Sequence, residues 1–169
     1  EVYDYREYPS GSNPEDNKPV KVTDVDINKL KDELSYYPDN GLIYMTRDDA
    51  VSDQDGDDFE TDSNRNVTGF KLVNNESLPA PTSFVSNLPV YVHGRYNTVD
   101  WQPSAVIADS ITLLSDNYDD TTSNWEDTDV NPGGGMPSAS STEYNLAFIT
   151  GNLPTKPGQY NGGLENYPR

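Results

Sequence analysis

The apolar residues of this chain come in short runs, none long enough or regular enough to build a helical protein. The runs fall at 42–45, 69–73, 83–85, 90–92, 105–108, 111–114 and 146–149. Each is strand-sized, rich in β-branched or aromatic residues, and set between Asp, Asn, Gly and Pro. Several are near-continuous rather than alternating, as parallel strands buried on both faces are. Polar corners such as Gly94, Asn97, Asp109 and Asn152 flank them. The expected fold is mainly β: a parallel β-helix or solenoid-like stack with long loops and one short N-terminal α-helix. A β-sandwich is the alternative. The spacing of the runs is not a clean repeat.

The helix is expected where Asp24 can cap a turn and Ile27, Leu30 and Leu34 fall on one face, with Pro38 and Asp39-Asn40-Gly41 ending it. The 169 residues suit a single domain. Residues 1–20 read as a Tyr-rich N-terminal arm and loop. Residues 21–169 read as one β-rich domain with acidic loops at 48–62 and 116–129.

Hydrophobic residues are 33% of the chain, below the globular norm, yet 12 tyrosines and two tryptophans argue against disorder. Acidic residues outnumber basic ones 29 to 11, for a net charge of −18. Such a surface repels nucleic acid and anionic membrane and leaves cations, basic proteins and neutral glycans as partners. There is no cysteine, hence no disulfide, thiol catalysis or thiolate metal site. No stretch approaches the ~20 apolar residues of a membrane span. Glu1 opens a polar segment unlike a signal peptide, so export implies a targeting segment removed or lying outside this chain.

The sharpest candidate for chemistry is the acidic stretch that includes Asp48, Asp49, Asp53, Asp55, Asp57, Asp58, Glu60 and Asp62. Calcium takes six to eight oxygen ligands, and alternating Asp residues supply them, so Asp53, Asp55, Asp57, Asp58 and Glu60 are the candidate calcium ligands. The EF-hand pattern fails, because Asp58 stands at its glycine position and Asn64 at its closing glutamate. A solvated acidic loop is the competing reading. The stretch holding Asp116, Asp119, Asp120, Glu126, Asp127 and Asp129 has poorer ligand spacing and reads as a polar loop running into Gly133-Gly134-Gly135.

Asn66-Val67-Thr68 and Asn75-Glu76-Ser77 are glycosylation sequons, a pattern that also arises by chance in an Asn-rich chain. His93 is the only histidine, which excludes a multi-His centre within one chain. No nucleophile elbow is present, and no cluster of Lys or Arg stands beside the acids as a lyase base would. Among the aromatics, Tyr3, Tyr5, Tyr8, Trp101 and Trp125 are the candidate interface residues. Tyr36, Tyr37, Trp101, Tyr118 and Trp125 could also stack on sugar rings, with core or subunit contact as the plainer reading.

Three series of strings carry a resemblance. The first is Tyr5-Arg6-Glu7, Val22-Thr23-Asp24-Val25-Asp26-Ile27 with Lys29-Leu30, and Asn40-Gly41-Leu42-Ile43-Tyr44. The second is Leu72-Val73-Asn74, Leu78-Pro79, and the run from Asn87-Leu88-Pro89-Val90 through Tyr96-Asn97. The third is the run from Ala105-Val106-Ile107-Ala108 through Leu114-Ser115, then Ile149-Thr150-Gly151-Asn152, then Tyr160-Asn161-Gly162-Gly163-Leu164-Glu165-Asn166. Their order and number resemble bacterial type IV pilus-assembly proteins of the PilX-like kind, over nearly the whole chain. Members of that family carry a prepilin-like hydrophobic N-terminus ahead of this region and continue past the equivalent of Glu165-Asn166. The acidic stretch from Asp53 to Asp62 departs from their shorter connection.

The resemblance implies an extracellular, bacterial cell-surface role and no catalytic residue set. The expected function is a non-enzymatic structural or adhesive module of a pilus-like filament or surface assembly. Its expected partners are other copies of itself or a small pilin-like subunit, and calcium is the one cofactor considered. The alternative is a glycan-binding or glycan-cleaving β-helix module.

Overall fold

Among the described residues, no strand pairs with its neighbour in sequence. In the computed structural model, which describes Val2 and residues 20–48, 68–119 and 139–151, each strand hydrogen-bonds to the strand two places before it. The elements are β1 (Lys21–Asp26), α1 (Ile27–Asp32), β2 (Leu42–Met45), β3 (Thr68–Val73), β4 (Thr82–Ser86), β5 (Val90–His93), β6 (Ser104–Ile107), β7 (Ile111–Leu114) and β8 (Ala147–Ile149). Sheet 1 has the order β1-β3-β5-β7 and sheet 2 the order β2-β4-β6-β8. Every pairing between these strands is parallel. The fold is therefore mainly β, built on two parallel sheets with no closed barrel, and the chain passes from one sheet to the other and back in each round.

Both sheets turn one face into a shared core. On sheet 1, Phe70, Val90 and Ile111 stack in register, as do Leu72, Val92 and Leu113. On sheet 2, Ile43, Phe84 and Val106 form the facing row, which Phe148 of β8 continues as an exposed residue at the sheet edge. Ile27, Leu78, Tyr96 and Ala108 close the core at its corners. Inward residues are spaced two apart, because successive side chains of a strand point to opposite faces.

The irregular spacing of the apolar runs has a simple cause. Phe70, Val90 and Ile111 recur 20 and 21 residues apart. Residues 87–89 alone join β4 to β5, and residues 108–110 alone join β6 to β7. The corresponding corner between β2 and β3 takes residues 46–67, and the opposite corner between β7 and β8 takes 115–146. These two long connections contain the acidic stretches. A repeat exists, and the insertions hide it.

All seven apolar runs lie in strands, but the N-terminal reading needs correction. Residues 21–26, expected to lead into a helix capped by Asp24, form β1 instead. Asp26 is the cap: its carboxylate accepts from the backbone N–H groups of Asn28 at 3.0 Å and Lys29 at 3.3 Å. Asp24 faces Lys71 on β3, with 3.4 Å between Nζ and Oδ1. The α-helix ends at Asp32, a 3-10 turn follows over Leu34–Tyr36, and Leu34 is exposed rather than on a buried helix face. No helix among the described residues is long and apolar enough to cross a membrane.

Candidate functional site

The corner where the chain leaves sheet 1 for sheet 2 is built from amides. Asn74 after β3 and Gly94 after β5 both adopt positive φ, 55° and 72°, which turns the backbone sharply at the same step of successive rounds. Asn75 is 1% exposed, and its Nδ2 donates to the carbonyls of His93 at 3.2 Å and Arg95 at 2.7 Å in the following round. Asn97, fully buried, donates from Nδ2 to the carbonyls of Gln102 at 2.7 Å and Asn145 at 2.8 Å. Asn145 returns a bond from its own Nδ2 to the Asn97 carbonyl at 3.3 Å. Asn75, Asn97 and Asn145 thus form a stacked ladder that satisfies corner carbonyls which the strands leave unpaired.

Outside this ladder lies a groove of about 420 Å³. Lys31, Glu76, His93, Arg95 and Asp116 are among its lining residues. Arg95 Nε lies 3.2 Å from Asp116 Oδ2, an ion pair across the groove, and Lys31 Nζ donates to the neutral Ser77 Oγ at 3.1 Å. Asp116 Oδ1 also accepts from the Arg95 backbone N–H at 2.9 Å. The Asp26 carboxyl beside this corner titrates below the ordinary carboxylate range. Its slight burial acts in the opposite sense, and hydrogen bonds from the Asn74 side chain and from the backbone of Lys29 and Asn28 outweigh it. The groove can hold a small polar ligand by hydrogen bonds.

The outer faces of the two sheets differ. On sheet 1, Tyr91 and Leu114 point outward yet are buried, because Val2 and Val20 lie over them with Val22 and Tyr118 alongside. Val2 and Val20 bond to each other as an antiparallel bridge, with N–H···O distances of 3.0 and 2.7 Å. Val2 and Val20 are thus packed with sheet 1. On sheet 2, the outward row Tyr44, Val85, Ile107 and Ile149 runs in register across all four strands, and Tyr44 is 62% exposed and Ile149 58%.

The expected site residues scatter in this frame. Trp101 sits in the connection before β6 and is 63% exposed. Asn75, expected as a glycosylation acceptor, is buried, and its amide nitrogen donates twice inside the fold. Tyr37 donates its hydroxyl to the Pro81 carbonyl at 2.8 Å, and Tyr118 packs edge-on against His93 with ring centroids 5.9 Å apart, so both have structural roles. Tyr36 is exposed. Tyr3, Tyr5, Tyr8, Trp125, Asn66 and the calcium candidates Asp53, Asp55, Asp57, Asp58 and Glu60 lie outside the described residues. Among the described residues, no three His, Asp or Glu side chains gather as a metal site. The asparagine ladder and the exposed sheet 2 row were missed from the sequence. A hint of the ladder was present in Asn75 and Asn97, each following a strand-sized run by a few residues.

Comparison of the chain with protein-family models, with curated proteins and with solved structures gave no match in any of the three.

Proposed function

We propose that the chain is a parallel β-helix serving as a non-enzymatic structural module of an extracellular bacterial surface assembly, of the type IV pilus-like kind that its sequence resembles. The observation that carries this reading is the contrast between core and corners. The strands keep their parallel register through connections as short as 87–89 and as long as 115–146. Such a scaffold tolerates large insertions because its core rows depend only on neighbouring rounds. The two long connections, 46–67 and 115–146, hold most of the acidic clusters of the sequence.

Immunogold electron microscopy of native cell-surface material, with antibody against this chain, tests the reading. Label along filaments, in register with a repeat, supports an assembly module. Filaments that carry no label, with the chain recovered as free monomer, overturn it.

A second reading, a glycan-binding module, draws on the exposed Trp101 and on the amide-lined groove at the corner. Binding on a glycan array that is lost in Trp101→Ala would favour it over the structural role.

A further inference from the structure

Sheet 2 presents an apolar face that nothing among the described residues covers. Its outward positions form two rows in register: Leu42, Ser83, Ala105, Ala147, and beside them Tyr44, Val85, Ile107, Ile149. None of the eight is charged, in a chain with 29 acidic residues. Sheet 1 gives the internal comparison. Its outward Tyr91 and Leu114 are sealed by Val2 and Val20, two apolar residues on a short extended bridge. Val2 and Val20 help to bury one outer face, and among the described residues the matching face on the other sheet is open.

We propose that the outer face of sheet 2 docks an extended apolar segment of a partner protein, flanked by Lys or Arg. Three arguments select that occupant. On sheet 1 two single apolar residues, Val2 and Val20, go with the burial of Tyr91 and Leu114, so a short segment is enough for a face of this kind. A second copy of the chain fits poorly, since it would bring another charge of −18 to the contact. The face is also small: four strands by four residues span roughly 14 by 13 Å, well short of the ~800 Å² that each partner gives to a stable dimer. A cationic flank on the partner is attracted by the net charge of −18 that the chain carries.

The proposal rests on the assembly reading for where the partner would be found, while the binding itself is measured separately. The full chain is titrated with a synthetic peptide of alternating Leu and Lys, at physiological ionic strength, using the wild type, Tyr44→Glu and Ser35→Glu. Both variants add one negative charge, and Ser35 is exposed on the 3-10 turn, off the face. Docking on the face makes Tyr44→Glu bind about tenfold more weakly than Ser35→Glu, a loss of one decade in Kd. Equal or tighter binding by Tyr44→Glu overturns the proposal, because attraction is then charge alone. Wild-type self-association that Tyr44→Glu abolishes, seen by sedimentation without peptide, also overturns it and makes a second copy the occupant. Circular dichroism checks each fold, and Ile149→Glu repeats the measurement at the far end of the row. Unlabelled filaments would remove the assembly reading and leave this titration intact.

Discussion

Asn97 donates its backbone N–H to the carbonyl of Asn75 at 2.7 Å, joining one round of the chain to the next at the same corner. Both side chains then face inward and bind backbone groups rather than water. The contact explains why two short polar side chains are among the most buried in the protein.

Removing the Asn97 side chain should be costly. Asn97→Ala loses the bonds to Gln102 and Asn145, and the one its Oδ1 accepts from the Gln102 N–H at 3.0 Å. It also places alanine at a φ of 56°, which asparagine tolerates better. Together these predict a loss of roughly 3 kcal/mol, read by urea denaturation with an unchanged m-value. A loss below about 1 kcal/mol would mean that water replaces the ladder.

Two glycines separate strain from crowding. Gly41 and Gly151 have nearly equal φ, 65° and 69°. A Cβ on Gly41 would lie 2.1 Å from the Pro81 carbonyl oxygen, whereas one on Gly151 meets nothing within 4 Å. Gly151→Ala should cost about 1 kcal/mol, the strain alone. Gly41→Ala should cost well beyond that, since the backbone of Pro81 must move away from β2. Thermal melts of the two variants side by side check the order.

Core and face positions on sheet 2 should respond oppositely to truncation. Phe84 is 1% exposed and packed between Ile43 and Val106, so Phe84→Ala should cost ~3–5 kcal/mol. Tyr44→Ser, on the open face beside it, should stay within about 0.5 kcal/mol. A large loss at Tyr44 would show that some part of the chain covers that face.

Alkaline pH should destabilise the fold through two tyrosines. Burial pushes the Tyr96 phenol up to about 12, against a shorter hydrogen bond to Ser104 that acts in the opposite sense. Burial also raises Tyr144 to about 12. A raised folded value stabilises the folded form fully below pH 10, and that contribution is lost as pH climbs from 10 to 12. Absorbance titration at the phenolate band should show late-ionising tyrosines, one fewer in Tyr96→Phe and one fewer in Tyr144→Phe. Ionisation of every tyrosine near its ordinary value, before unfolding, would contradict the burial.

The sequence by itself determined the class of fold. Runs such as 90–92 and 111–114 are too short and too β-branched for helices, and their near-continuous apolar character fits parallel strands buried on both faces. The boundary at Asp26 was not legible, because Val22, Val25 and Ile27 suit a strand and a helix alike until Lys71 arrives to pair with Asp24. The 20-residue period was hidden by insertions, since spacing along a chain reports a repeat only when every corner has the same length. Which residues of a strand face the core also depended on its neighbours. Phe84 and Val85 are adjacent and equally apolar, and only the register with Val106 and Ile107 put one inside and the other on the open face. The fate of Asn75 was decided in the same way. A sequon is a local pattern, whereas burial comes from a round of chain some twenty residues further on.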